Sequence, residues 1–433
     1  MIRELTDPFI EENPLPDRVW RRVRRLMGKG KGLILRLGTK ASRSGAIHAP
    51  VIGYTEGAEG RKLEKRALIT YVAWPFRANP EELELASHSN GPQALEIAGA
   101  FNRLGYIVDI VDWLDTTFVP TVRYDAFFGI NDNFGRLLPY MDEKTIRIYY
   151  GTGSYWAFEI VAERSRIENL RQRRGVELVL PIRLGANDFV QRADAVIVLG
   201  NRFVLDTYRP HNTKLFAIDN SALHTTEPDL EHKDFSSARR NFLWFGSTGL
   251  LHKGLDLVLE AFVGLANTHL WVCGPLQSPD EQEFVRVYRH ELFHSPNVHP
   301  IGWTSIYSEQ FIQLAERCGF VVLASCAEGM PGGTLDCMAR GLIPLISREA
   351  GIDTDRIGIT FHENSINTIR EVIAQMAAVS PESCRRMAQT AYRQATTRYA
   401  LETFSRRIEQ ILEAILGENQ EGRIRSIKNQ GGL

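Results

Sequence analysis

Short apolar runs alternate with helical periodicities twice along this chain, and that alternation leaves few folds open. Ala67-Leu68-Ile69-Thr70-Tyr71-Val72 is an apolar, partly β-branched run. Ala94, Leu95, Ala98, Phe101 and Leu104 then recur at helical spacing behind Pro92 and stop at Gly105, and Tyr106-Ile107-Val108-Asp109-Ile110-Val111 follows at once. Strand, helix and strand in immediate succession predict a right-handed crossover and a parallel sheet. Runs at 125–129, 146–150 and 193–199 extend it. The pattern restarts with a strand over 241–245 and a helix carrying Leu255, Val258, Leu259 and Phe262; strands at 269–273, 320–324, 342–346 and 358–361 alternate with helices at 308–317 and 334–340. The expected fold is therefore α/β, two tandem Rossmann-like domains facing each other across a cleft. Ligands in such sheets bind outside the carboxyl ends of the strands.

The boundaries follow from composition. Residues 1–65 form a basic extension, 66–222 the first domain, 223–240 a polar linker carrying Pro228, 241–380 the second domain, 381–416 C-terminal helices and 417–433 a polar tail. With 51 basic and 52 acidic side chains the net charge is −1, so no global field draws the protein onto nucleic acid. Five cysteines without a C-x-x-C pair read as reduced thiols in a cytoplasmic protein, without a structural zinc. No stretch of about 18 apolar residues appears, nor the apolar core of a secretory leader. Between Arg18 and Arg43, however, ten Lys or Arg side chains occur with no acid, and Trp20, Val23, Leu26 and Met27 form a short stripe among them. Such a segment suits peripheral contact with an anionic inner membrane face, or a solvated helix packed on the domain.

The segment richest in chemistry runs from Ala324 to Gly341: a strand end, the turn Glu328-Gly329-Met330-Pro331-Gly332-Gly333, then a helix containing Asp336. Glycines 329, 332 and 333 admit a close ligand, and a helix start favours an anion such as a diphosphate. Two acids flanking an anion site suit hydroxyl groups of a sugar or ribose; capping and solvation account for such acids equally well.

This segment resembles the retaining family-4 glycosyltransferases of the GT-B fold, the group 1 type, whose signature is an acid, seven residues and a second acid at a strand-turn-helix. Glu328, Gly329, Pro331, Ala339 and Gly341 match in place, and Asp336 stands where the family usually has Glu. Phe245-Gly246, His252-Lys253-Gly254-Leu255-Asp256, Val272-Cys273-Gly274-Pro275 and Asn297 to Gly302 are similar too, so the resemblance spans Asn241 to about Phe361. It implies transfer of a sugar from a nucleotide-diphosphate sugar to a glycan or lipid-linked hydroxyl acceptor, with retained configuration, in glycan or polysaccharide assembly. It implies neither cofactor nor metal. Lys253 and Glu328 become the catalytic candidates. Gly246, Ser247, Thr248, Gly274, Pro275, Gly329, Met330, Pro331, Gly332, Gly333, Thr334 and Asp336 become the donor-binding ones. Acceptor-side candidates in the first domain are His88, Asn90 and Gly91, in the Ser89-Asn90-Gly91-Pro92 turn region, and Trp156 after the Gly151-Thr152-Gly153 turn.

The sequence departs from that family in three ways. Thr248 occupies the place of the usual arginine, five positions before the lysine, which removes one fixed positive charge. The turn is one residue longer. The histidine often found after a first-domain strand is missing from Tyr150-Gly151-Thr152-Gly153-Ser154, with His88 and Asn90 able to reach the cleft from another turn. A sugar-nucleotide epimerase, a phosphorylase and a catalytically degenerate GT-B subunit are the alternatives. Asp353-Thr354-Asp355 reads as a solvated loop rather than a Mg²⁺ site, and Gly28-Lys29-Gly30-Lys31-Gly32 lacks the preceding strand of a phosphate loop. His211, His224, His232 and His269 read as structural or exposed; Trp113 and Trp303 read as packing or as sugar platforms.

Overall fold

The computed structural model describes residues 47–430 except 59, 85–87, 177, 179–185, 224–225 and 266, with only the helical backbone of 418–430. The basic stretch Arg18–Arg43 and His224 lie outside the described residues.

Seven strands build the first sheet: β1 (Val51–Tyr54), β2 (Lys65–Tyr71), β3 (Tyr106–Asp112), β4 (Ala126–Gly129), β5 (Ile146–Gly151), β6 (Ala195–Leu199) and β7 (Leu215–Ile218), in the order β1-β3-β2-β4-β5-β6-β7. From β2 to β7 the pairing is parallel, with Ile69 facing Ile110 of β3 and Phe128 of β4. Both faces are covered, which is why β6 reads Ala-Val-Ile-Val-Leu and is buried at every position. Ile69, Ile110, Phe128 and Ile148 point to one core, and Leu68, Val111, Phe127 and Tyr149 to the other, as a period of two requires. The helix α1 (Asn90–Arg103) turns Ile97, Ala98 and Phe101 onto the first of these cores.

A second parallel sheet comprises β8 (Asn241–Phe245), β9 (His269–Cys273), β10 (Val298–Pro300), β11 (Phe320–Leu323), β12 (Ile343–Ser347) and β13 (Ile359–Phe361), ordered β10-β9-β8-β11-β12-β13. The two central strands, β8 and β11, end at the turns that carry the candidate site. Among the described residues no helix is long and apolar enough to cross a membrane. All five cysteines are buried free thiols.

Three expectations change. Val51–Tyr54, inside the stretch expected as an extension, is the edge strand β1 and pairs antiparallel with β3; the amide of Gly53 donates to buried Asp109 at 2.8 Å, a partner far away in sequence. The expected linker contains helix α3 (Phe235–Ala238), the next after α2 (Trp156–Arg174) in this numbering; Asp234 caps it, and Phe235 and Ala238 are buried in the core of the second domain. Surrounding charges hide this apolar pair. The expected tail is helical: after α6 (Pro381–Thr397), α7 runs Leu401–Gln430. It crosses back to the first domain, where Phe404, Ile408, Ile411, Leu412 and Ile415 cover the α1 side of the core.

The helix α2 (Trp156–Arg174) follows β5 and ends at Gly175, in the left-handed conformation with φ 66°. Its buried residues include Glu163, Arg166 and Leu170, one stripe at helical spacing, but a charged one. Arg166 pairs with Asp256 at 3.0 Å and donates to the carbonyl of Ala324 at 2.8 Å; Arg173 reaches Asp256 at 2.6 Å; Arg174 reaches Glu291 at 2.7 Å. Leu170 joins the core of the second domain. The first domain thus grips the second through ions deep enough to need every partner they have.

Candidate functional site

Two turns of the second domain meet at one point. The first leads from β8 into α4 (Leu255–Phe262) and carries Lys253. Gly254 has φ 73°, and a Cβ there would lie 2.0 Å from the carbonyl oxygen of Ala324, so only glycine lets this turn press against the end of β11. The second turn leads from β11 into α5 (Gly332–Met338) and carries Glu328. The Lys253 ammonium lies 2.5 Å from Glu328 Oε1, and both groups are largely buried. Ser325 Oγ donates to the same oxygen at 3.3 Å.

Around this pair the domains enclose a cavity of about 340 Å³. Of the residues singled out from the sequence, Gly246, Ser247, Lys253, Gly274, Glu328, Gly329, Met330, Pro331, Gly332, Gly333, Thr334 and Asp336 line it from the second domain, and His88 from the first. Thr334 Oγ1 is buried in its wall without a hydrogen-bond partner, a donor that an anion could satisfy. The amide of Thr334 is bonded to the carbonyl of Pro331 at 3.1 Å, so the first-turn amides of Gly332 and Gly333 remain as the natural backbone donors. Asp336 accepts from the amide of Leu223 at 2.8 Å; burial pushes its carboxyl up to about 7, against the lowering effect of that bond. The amide of Asn90 donates to His88 Nδ1 at 3.2 Å, which leaves Nε2 as the protonated nitrogen of the neutral ring. Burial, and then the Lys253 ammonium, lower the pKa of His88, so the neutral form is the one presented, although part of the ring reaches solvent at the cleft mouth.

Other expected residues stand elsewhere. Trp156 does not line the cavity: its indole N–H donates to the carbonyl of Asn187 at 3.1 Å and its ring packs beside Tyr155. Asn90 and Gly91 start α1; a Cβ on Gly91 would lie 2.4 Å from the ring of Trp74, so that glycine serves packing. Thr248 and Pro275 also fall outside the lining. Thr248 sits beside Gly249 and Leu250, whose amides donate to the carboxylate of Glu281; Pro275 is buried and accepts from the amide of Ser278 at 2.9 Å. Asp353 is exposed in its loop and tied down at the surface: Asn201 donates to it at 2.9 Å and Arg398 joins it to Asp219. Trp303, 53% exposed, does line the cleft, whereas Trp113 packs on the first core. His232 is exposed beside Asp229, His211 stacks on Tyr155, and His269 meets His299.

Sequence reading missed the first domain's own wall. Ser89, Gln93, Thr152 and Asn220 line the cavity. Gln93 donates to Asn220 Oδ1 at 2.6 Å, and Asn220 in turn donates to the carbonyl of Met330 at 2.6 Å, a bond across the cleft. Thr152 directly follows β5 and Asn220 stands two residues beyond β7, so the rule that ligands gather at strand carboxyl ends was the available signal. The domains also approach closely at Gly329, where a Cβ would lie 2.5 Å from the carbonyl oxygen of Thr152 and 2.7 Å from that of Leu199. Ser154 Oγ donates to the carbonyl of Glu328 at 2.8 Å beside it.

Two parallel sheets facing each other across a cleft define a class, the GT-B fold that glycosyltransferases of known structure share. Residues 229–394, most of the second domain, match the model of the family described as Glycosyl transferases group 1. No curated protein matches the chain. Among solved structures, the sucrose-phosphate synthase from Thermosynechococcus elongatus matches with TM-score 0.55 and 12% identity, over 83% of this chain and 100% of that one. Anabaena HepE in complex with UDP-glucose matches with TM-score 0.52 and 14% identity, over 81% and 100%. A glycosyltransferase from Rickettsia africae matches with TM-score 0.51 and 12% identity, over 82% and 99%. The chain spans about half of a further match, TarM: 54% of that protein, at 12% identity.

Proposed function

We propose that the protein transfers a sugar from a nucleoside-diphosphate sugar to a hydroxyl acceptor, retaining the anomeric configuration and using no metal. The observation that carries this reading is the Lys253–Glu328 pair at the wall of a cavity that also holds the unpartnered hydroxyl of Thr334 and the first-turn amides of α5. In the reaction, Lys253 turns from Glu328 to the departing phosphate and, with Thr334 and the Gly332 and Gly333 amides, stabilises the charge that develops there. Glu328 then holds hydroxyls of the donor sugar, and Asp336 faces the ribose. His88 Nε2–H is a donor at the acceptor side of the same cleft, where the family's missing histidine would act. A phosphate oxygen takes the acceptor's proton. The acceptor is a glycan or lipid-linked sugar of a polysaccharide assembly pathway, met at an anionic membrane face through Arg18–Arg43.

Calorimetric titration with UDP, GDP, TDP and ADP tests the reading, with UDP first because HepE is described with UDP-glucose. One diphosphate should bind selectively, and Lys253→Ala should weaken it and lower turnover with the matching sugar nucleotide by roughly 10²–10³, the loss typical of one well-placed donor. Absence of binding by all four would refute it and favour a degenerate subunit. Consumption of the sugar nucleotide without added acceptor would point to an epimerase.

A further inference from the structure

His252, next to Lys253, is almost fully buried at 2% exposure, and the sequence gives it no role. Its Nδ1 lies 2.8 Å from Glu163 Oε1 on α2, and its Nε2 lies 3.8 Å from Glu328 Oε1. The imidazole therefore stands between a carboxylate of the first domain and the carboxylate that Lys253 holds. We propose that His252 is a positioning residue, fixed by Glu163, that retains Glu328 when Lys253 leaves it for an arriving diphosphate. The inference rests on the glycosyltransferase reading above.

The argument is one of partner exchange. Glu328 shares its Oε1 among Lys253 at 2.5 Å, Ser325 at 3.3 Å and His252 at 3.8 Å. An anion that captures the ammonium strips Glu328 of its closest cation, and a largely buried carboxylate that loses its counter-charge is costly. The Ser325 hydroxyl keeps its contact at 3.3 Å, and the His252 ring, which as the imidazolium donates from Nδ1 to Glu163 and from Nε2 toward Glu328, is a cation placed to close in. Glu163 is its anchor, and the neighbouring Arg166 ties the same helix to Asp256 and to the carbonyl of Ala324, at the foot of the Glu328 turn. Around the ring stand Glu159 and Glu163 from α2 and Cys326, whose Sγ lies 3.7 Å from Nδ1. Donor binding is thereby made to depend on α2 being seated against the second domain.

The test is calorimetry with the diphosphate that binds the unaltered protein, UDP first, on His252→Leu, His252→Gln, Glu163→Gln and the double variant His252→Leu with Glu163→Gln. His252→Leu should bind about tenfold more weakly, the loss of one hydrogen bond to a charged group. His252→Gln, whose amide can donate to Glu328, should recover part of that. The double variant should be no worse than His252→Leu alone, because Glu163 acts through the imidazole. In the unaltered protein, the ring ¹⁵N signals of His252 should shift on saturation with the diphosphate, a readout independent of how the variants fold. Affinities equal to the unaltered protein's, losses that simply add, or unmoved ring signals would each overturn the inference. A protein that binds no diphosphate would remove the glycosyltransferase reading and this inference with it.

Discussion

Replacing Asp336 with asparagine should change how stability depends on pH, and in a direction opposite to that of most carboxylates. In the folded protein burial pushes this carboxyl up to about 7, whereas in the unfolded chain it titrates near ~3.9. Between those values the native state holds a proton that the unfolded state has released, so stability falls as pH rises through the window and levels off above about 7. Three pKa units correspond to about 4 kcal/mol, an upper bound on the total change. Asp336→Asn keeps an oxygen to accept from the amide of Leu223 and removes the titration. The variant should therefore gain on the unaltered protein by up to about 4 kcal/mol between pH 4 and pH 8. Urea unfolding across that range, read through hydrogen exchange of the β8 and β11 amides, measures the difference. Parallel stability profiles for the two proteins would refute the reasoning.

Gly329→Ala places a methyl group 2.5 Å from the carbonyl of Thr152 and 2.7 Å from that of Leu199; small-angle scattering should show an opened cleft, and an unchanged scattering profile would count against the close approach. Trp303→Ala should leave the melting temperature unaltered and weaken diphosphate binding by about 1–3 kcal/mol, the range for a stacked base, since the indole is exposed on the cleft wall; equal affinity by calorimetry excludes stacking. Arg166→Met leaves Asp256 with Arg173 alone and should destabilise the protein by about 3 kcal/mol, the low end for a broken buried pair, measured by chemical denaturation.

Local periodicity carried the fold a long way. Strands such as β6 and helices such as α1 announce themselves through apolar spacing, and the motif from Glu328 to Asp336 marks one wall of the cleft. What stayed hidden depends on contacts distant in sequence. Val51–Tyr54 is too short to stand out, and its place is set by pairing with β3 and by the reach of Gly53 to Asp109. The charged face of α2 looks like an ordinary solvated surface until Asp256, Glu260 and Glu291 are brought opposite it. Trp156 follows a glycine turn and invited a ligand, yet its indole is spent on the carbonyl of Asn187. Asn220 is one polar residue after an apolar strand; only the facing turn gives it Met330 to hold.

The return of α7 to the first domain bears on how the chain matures during translation. The apolar side of α1 is complete only when Phe404, Ile408, Ile411, Leu412 and Ile415 lie on it, and about 300 residues separate the two in sequence. At ~5–20 residues per second, the ribosome needs roughly 15–60 s to deliver that cover. Throughout this interval the nascent first domain offers an uncovered greasy flank, so its final closure comes after the second domain has been synthesised in full.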